Sequence, residues 1–114
     1  FFLNVHEGPQ AITKINTVKI REGMILSNEP GYYKTNEYGI RIENLILVRE
    51  RTKYLFFFEN LSWCPIDIDL VKKDLLNNTE IEWLNKYHLN VYNKLNSYFN
   101  GNEKEWLKFV TKPL

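Results

Sequence analysis

The residues of this chain whose types suit chemistry are few, and they cluster in its first half. Glu29 and Glu43 each stand in a run of mostly apolar or aromatic neighbours, SNEPGYY and IRIENLILV, and His6 stands in VHEGP. A carboxylate that loses its hydration keeps its charge only when it is paired, richly hydrogen-bonded or bound to a cation. Two carboxylates and an imidazole together supply the O, O and N donors that divalent metals accept. The imidazole also titrates near neutral pH, which suits it to carrying protons. Arg41 lies two residues before Glu43, on the same face if the run is a strand, where it can pair with a carboxylate. Each group has a plainer reading too: His6 and Glu7 as structural turn residues, and Arg41 with a glutamate as an ion pair on a sheet.

Strands are needed to position these groups. The run from Ile40 to Val48 opens with a period-2 alternation that puts Ile40 and Ile42 on one face and Arg41, Glu43 and Leu45 on the other. The run from Gly23 to Asn28 is a short apolar strand, and Pro30-Gly31 stops its ladder and turns the chain. The link GYYKTNEYG is polar and turn-rich, which predicts an antiparallel hairpin that brings Glu29 and Glu43 close together. Other strand-like runs are FFLNVHEGP at the start, TVKI at 17–20, YLFFFE at 54–59 and a final strand within ENLSWCPIDI, ending near Pro65.

Beyond Asp69 the period changes. A short turn or helix is expected from Leu70 to Leu76, and a long helix from Glu80 to Phe99. Thr79 and Glu82 have capping-box spacing, Ile81, Leu84, His88, Val91, Leu95 and Tyr98 form one stripe, and Asn100-Gly101 ends the helix. A second helix is expected from Glu103 to about Val110, carrying Trp106, Leu107 and Phe109 before Pro113. Strands first and helices after make an α+β unit.

The totals narrow the function classes. A chain of 114 residues with 44% hydrophobic residues can bury a real core. Lys and Arg number 15 against 14 Asp and Glu, so no basic groove for nucleic acid is expected. No apolar run reaches the roughly 18 residues that span a bilayer, so no membrane partner is expected. The single Cys64 cannot form an internal disulfide; it reads as a core residue, and a reducing compartment is expected. His88, on the apolar stripe, reads as a core histidine with one hydrogen-bond partner. Trp63, Trp83, Trp106, Tyr87, Tyr92 and Tyr98 read as packing residues. The sequence has no glycine-rich phosphate loop, Cys-x-x-Cys pair or nucleophile elbow.

In order and spacing, NVHEGP (4–9), GMILSNEPGYY (23–33) and GIRIENLILV (39–48) resemble the C-terminal half of the catalytic domain of aminopeptidase P, the Xaa-Pro branch of the pita-bread metallopeptidases. LSWCPID (61–67), EIEWLNKYH (80–88) and EWLKFVTKPL (105–114) are similar to the C-terminal extension of its larger cytosolic type. The resemblance implies a fold divided into residues 1–68, the C-terminal half of the pita-bread domain, and residues 69–114, a helical extension. It implies two divalent metal ions, with manganese the expected identity, and hydrolysis of the bond before proline by water activated between them. By motif Glu29 is a metal ligand and general base, and Glu43 a bridging ligand. His6 matches a residue that holds substrate and manages protons, and Arg41 and Tyr33 match residues that steady the ligand shell and the substrate. A peptide substrate with proline second, a homodimer and a cytoplasmic location are implied as well.

One departure matters. The family's two aspartates and its metal-binding histidine have no counterpart here, so the chain holds two of five expected ligands, and the isolated residues are expected to be inactive. Two other readings compete. A non-catalytic pita-bread binding module would lack the missing aspartates in the full-length protein as well. A glycosidase with Glu29 and Glu43 as its carboxylate pair would leave His6 and Arg41 unexplained and would not depend on Mn²⁺.

Overall fold

The computed structural model describes residues 8–114, so His6, Glu7 and most of the strand expected at the start lie outside the described residues. The chain divides into two compact units, Phe1–Ser62 and Trp63–Leu114.

In the first unit the alternating runs become five strands: β1 (Ile25–Asn28), β2 (Gly31–Lys34), β3 (Tyr38–Arg41), β4 (Asn44–Thr52) and β5 (Leu55–Asn60). β1, β4 and β5 form an antiparallel sheet in that order, and β2 and β3 form a separate two-stranded hairpin. The alternation puts Leu26, Ile46 and Val48 on one face, where all three are buried and Ile20 and Met24 pack against them. The hairpin has no buried residue. Asn36, at the turn, adopts a φ of 60°, which asparagine tolerates through its short side chain. A Lys34–Glu37 ion pair of 2.7 Å and a Glu37 N–H to Lys34 carbonyl bond close it.

Several expectations change here. The predicted pairing of residues 23–28 with 40–48 is present and antiparallel, but the strand expected from Ile40 to Val48 is interrupted at residues 42–43. The link, expected to be turn-rich, itself pairs as β2 and β3 around a turn at 35–37. TVKI is not a strand, and residues 61–68 are extended without a ladder beyond β5. Leu61 N–H does bond the Leu45 carbonyl, which ends the pairing, and Pro65 cannot donate to continue it.

The second unit holds a short 3₁₀ turn (Lys73–Leu75), α1 (Asn78–Leu95) and α2 (Gly101–Val110). α1 begins two residues before the expected start. Asn77 rather than Thr79 is the cap: its Oδ1 accepts from Glu80 N–H at 3.0 Å, and Glu80 Oε2 accepts from Asn77 N–H at 2.9 Å. The helix also ends earlier than expected. The Asn96 amide donates back to the Tyr92 and Asn93 carbonyls, competing for the groups that another turn would use. Asn100-Gly101 therefore opens α2 instead of closing α1.

Tyr87, Val91 and Leu107 form the core of this unit, flanked by Trp63, Ile66, Tyr92, Leu95 and Phe99. Tyr87 stacks between Trp83 and Trp63, with ring centroids 5.6 and 5.9 Å away, and donates its hydroxyl to the Cys64 carbonyl. Burial raises the Tyr87 pKa, since the phenolate would lose its hydration. Trp83, Trp106 and Tyr98 are exposed, against the reading of all the aromatics as packing residues. Cys64 is exposed as well, because its segment runs extended and uses its backbone, not its thiol, to meet α1.

Candidate metal centre

The interruption between β1 and β2 faces the one between β3 and β4. Asn28 pairs with Asn44 on one side of it and Gly31 with Arg41 on the other, so one register runs through. That register puts Pro30 opposite Ile42 and Glu29 opposite Glu43. The Ile42 N–H bonds the Pro30 carbonyl at 3.1 Å, and proline has no N–H to return the second bond of that pair. The regular ladder therefore lapses at this step without slipping. Glu29 and Glu43 fall on a non-hydrogen-bonded pair, the closer of the two antiparallel spacings, with Cα atoms about 4.5 Å apart in a regular ladder.

The same face carries the other polar candidates. Ser27 Oγ donates to Glu29 Oε1 at 2.7 Å. Arg41 Nε donates to Glu43 Oε2 at 3.1 Å and lies 3.9 Å from Glu29 Oε2. Tyr33 is hydrogen-bonded to Arg41, and this bond, with the nearby Glu43 and Glu29 charges, raises the guanidinium pKa. The Tyr33 ring lies across two glycines. A Cβ at Gly31 would meet its hydroxyl oxygen at 2.7 Å, and one at Gly39 its Cδ1 at 2.7 Å. Larger residues at either position would displace the ring.

Glu29 also lines an open cleft of about 860 Å³ with Gly8, Pro9, Ser27 and Leu45. The Gly-Pro turn of the His-Glu-Gly-Pro run thus borders the same cleft as Glu29, while His6 itself lies outside the described residues. The structure therefore brings together Glu29, Glu43, Arg41 and Tyr33. Sequence reasoning missed Ser27, Gly31 and Gly39, although stepping by two from Glu29 reaches Ser27, Gly31 and Tyr33.

Two opposed carboxylates are hard oxygen donors of the kind a divalent cation takes, and a cation would relieve their mutual repulsion. They fit such an ion in kind but not in number, since the described residues contain no group of three or more His, Cys, Asp or Glu able to hold a metal. His88 is not a candidate. It is 1% exposed, and its Nε2 accepts the Ile66 N–H at 3.1 Å. Its Nδ1 has no hydrogen-bond partner of good geometry, although the Lys112 backbone near the ring favours the charged form. Burial outweighs that influence and lowers the pKa.

Comparison with known proteins extends this geometry. Residues 2–50 match metallopeptidase family M24, and residues 54–114 match the C-terminal region of peptidase M24. A probable Xaa-Pro aminopeptidase P of Coprinopsis cinerea is 41% identical over 99% of this chain and 20% of its own length. Aminopeptidase P2 of Arabidopsis thaliana is 43% identical over 98% of this chain and 17% of its own. A solved X-prolyl aminopeptidase from Caenorhabditis elegans, described as a cytosolic enzyme with a di-nuclear active site, superposes with a TM-score of 0.83 at 35% identity. The match covers 98% of this chain and 20% of that one. The chain spans about a fifth of the length of the curated relatives it matches. Its antiparallel strands followed by helices are the C-terminal part of the pita-bread fold. The chain belongs to the M24 metallopeptidases, as the C-terminal part of one of the aminopeptidase P type.

Proposed function

We propose that this chain supplies two of the metal ligands, and the polar cluster that steadies them, to an Xaa-Pro aminopeptidase. The substrate would be a peptide with proline at its second position, and the bond cleaved the one before that proline. The observation that carries this reading is the placement of Glu29 directly opposite Glu43, with Arg41 within reach of both. Two divalent ions, with manganese the expected identity, would supply Lewis acidity at the scissile carbonyl and make water acidic enough to attack near neutral pH.

Each residue then has a task. Glu29 and Glu43 would hold the ions. Glu29 also takes a proton from the attacking water and delivers it to the departing proline nitrogen. The bond from Ser27 fixes one Glu29 oxygen, and Arg41 lies 3.9 Å from the other. Arg41 screens the two carboxylates from each other, and Tyr33 holds Arg41 by a hydrogen bond and would meet the substrate. His6 steadies the substrate and the proton inventory around the tetrahedral intermediate. Residues 1–68 act as catalytic half-domain and 69–114 as an extension, in a cytoplasmic homodimer. The C. elegans neighbour's description as cytosolic supports that location, and no helix among the described residues is long and apolar enough to cross a membrane.

Two ligands do not make a dinuclear site, so the isolated 114 residues should show no turnover of an Xaa-Pro-Xaa peptide with Mn²⁺, whereas the full-length protein should. In the full-length protein, Glu29→Gln should cost about 10²-fold or more in kcat. Turnover by the isolated chain comparable to the full-length enzyme, or full-length activity independent of divalent metal, would refute the reading.

A further inference from the structure

The face of the sheet opposite the carboxylates carries three asparagines at the end of its buried stripe, Asn44 and Asn60 half-buried and Asn28 exposed. Asn28 Nδ2 donates to Asn44 Oδ1 at 3.2 Å, and Asn44 Nδ2 donates to Asn60 Oδ1 at 2.5 Å. One side chain thereby ties β1, β4 and β5 together in a row. The row continues the stripe of Leu26, Ile46 and Val48. Asparagine is disfavoured in strands, and on an apolar face its amide costs free energy unless both ends are bonded.

Their position in the chain suggests what they do. Asn28 immediately precedes Glu29, and Asn44 immediately follows Glu43. They form the last regular pair before the interruption, and the next hydrogen-bonding pair, Pro30 with Ile42, has only one backbone bond. Beyond Asn28 and Asn44 the two strands carry Glu29 and Glu43 opposite each other, and one guanidinium, Arg41, 3.1 Å from Glu43 and 3.9 Å from Glu29, offsets only part of their repulsion at the step where the backbone ladder is weakest. A bond between the two side chains, anchored to a third strand, resists that separation.

We propose that Asn44, held by Asn28 and Asn60, is a positioning residue that keeps Glu29 and Glu43 in register to receive divalent metal. Asn44 touches neither the metal nor the substrate. It acts from the back of the sheet by fixing where the two backbones lie. This inference rests on the metal-centre reading of the preceding section.

The test is Mn²⁺ affinity of the full-length protein, by chelator competition, with the urea midpoint of the metal-free protein measured alongside. Asn44→Leu should weaken Mn²⁺ binding about 10- to 100-fold, as loss of an outer supporting contact does. Asn60→Ser, a milder change on a strand that carries neither carboxylate, should weaken it severalfold. The double variant should bind about as tightly as Asn44→Leu alone, since both changes break one network. If Asn44→Leu does not fold, Asn60→Ser decides the matter. Unchanged Mn²⁺ affinity in Asn60→Ser, with or without a lowered unfolding midpoint, would make the row a tie within the fold and overturn the proposal. A wild-type protein that binds no Mn²⁺ would overturn the metal centre itself, and the role of Asn44 with it.

Discussion

His88 offers the sharpest test of the energetics of the helical unit. Its ring is buried on α1, and Nε2 accepts the Ile66 N–H, so the neutral ring must carry its proton on Nδ1. A second proton can go only to Nε2, where it would face the Ile66 N–H. Protonation buries a charge away from water, and the folded pKa therefore lies below the ordinary 6.5. The sign of the pH effect follows. Above 6.5 the ring is neutral in both folded and unfolded chains and stability is unaffected by it. As pH falls below 6.5 the unfolded chain takes up the proton first, so stability declines from there down to the depressed folded value. The slope contributed by one such proton approaches about 1.4 kcal/mol per pH unit at most.

Two substitutions separate the charge from the hydrogen bond. His88→Leu removes the titration and leaves the Ile66 N–H buried without its acceptor, at a cost of about 1–3 kcal/mol at neutral pH. His88→Gln can place an amide oxygen near the position of Nε2 and should cost less. Urea midpoints at pH 5 and pH 7.5, followed by the fluorescence of the Trp63–Tyr87–Trp83 stack, read this unit directly. Both variants should lose part of the wild-type difference between the two pH values. If wild type and His88→Leu lose the same stability on acidification, the ring is not the buried neutral group described here and the reasoning fails.

Two further outcomes follow from particular contacts. Gly39→Ala would put a methyl group 2.7 Å from Tyr33 Cδ1. It should therefore displace the ring and its bond to Arg41, lowering peptide turnover by the full-length protein by on the order of 10²-fold with the circular dichroism spectrum intact; near-normal turnover would show that Tyr33 has no positioning role. Asn77→Ala should cost about 1 kcal/mol in urea unfolding while Thr79→Ala costs much less, because Asn77 makes the capping box; the opposite order would return the cap to Thr79.

What the sequence disclosed and what it hid divide along physical lines. The antiparallel pairing of residues 23–28 with 40–48 was legible because burying one face imposes an alternation that survives in the residue types. Arg41 on the face of Glu43 was legible for the same reason. The helix stripe through Leu84, His88 and Val91 was legible from its period, but the cap was not, since Asn77-x-x-Glu80 and Thr79-x-x-Glu82 satisfy the same rule and only packing chooses. Exposure of Cys64, Trp83 and Trp106 was hidden because residue type says what a side chain prefers, not what is available to cover it.

The interruption was legible on one strand only: Pro30-Gly31 marks the stop after β1, whereas the matching break at Ile42–Glu43 was concealed, because the alternation passes through it unbroken. Proline withdraws one donor and the regular ladder lapses, yet Asn28 with Asn44 and Gly31 with Arg41 keep the same partners that an unbroken ribbon would have. A slip of one residue would send Glu43 to the opposite face, among Leu26, Ile46 and Val48, and bring Ile42 or Asn44 opposite Glu29. The lapse removes one backbone bond beside the two glutamates, and the preserved register keeps both carboxylates on one face. Two carboxylates that are to share a cation depend on that register.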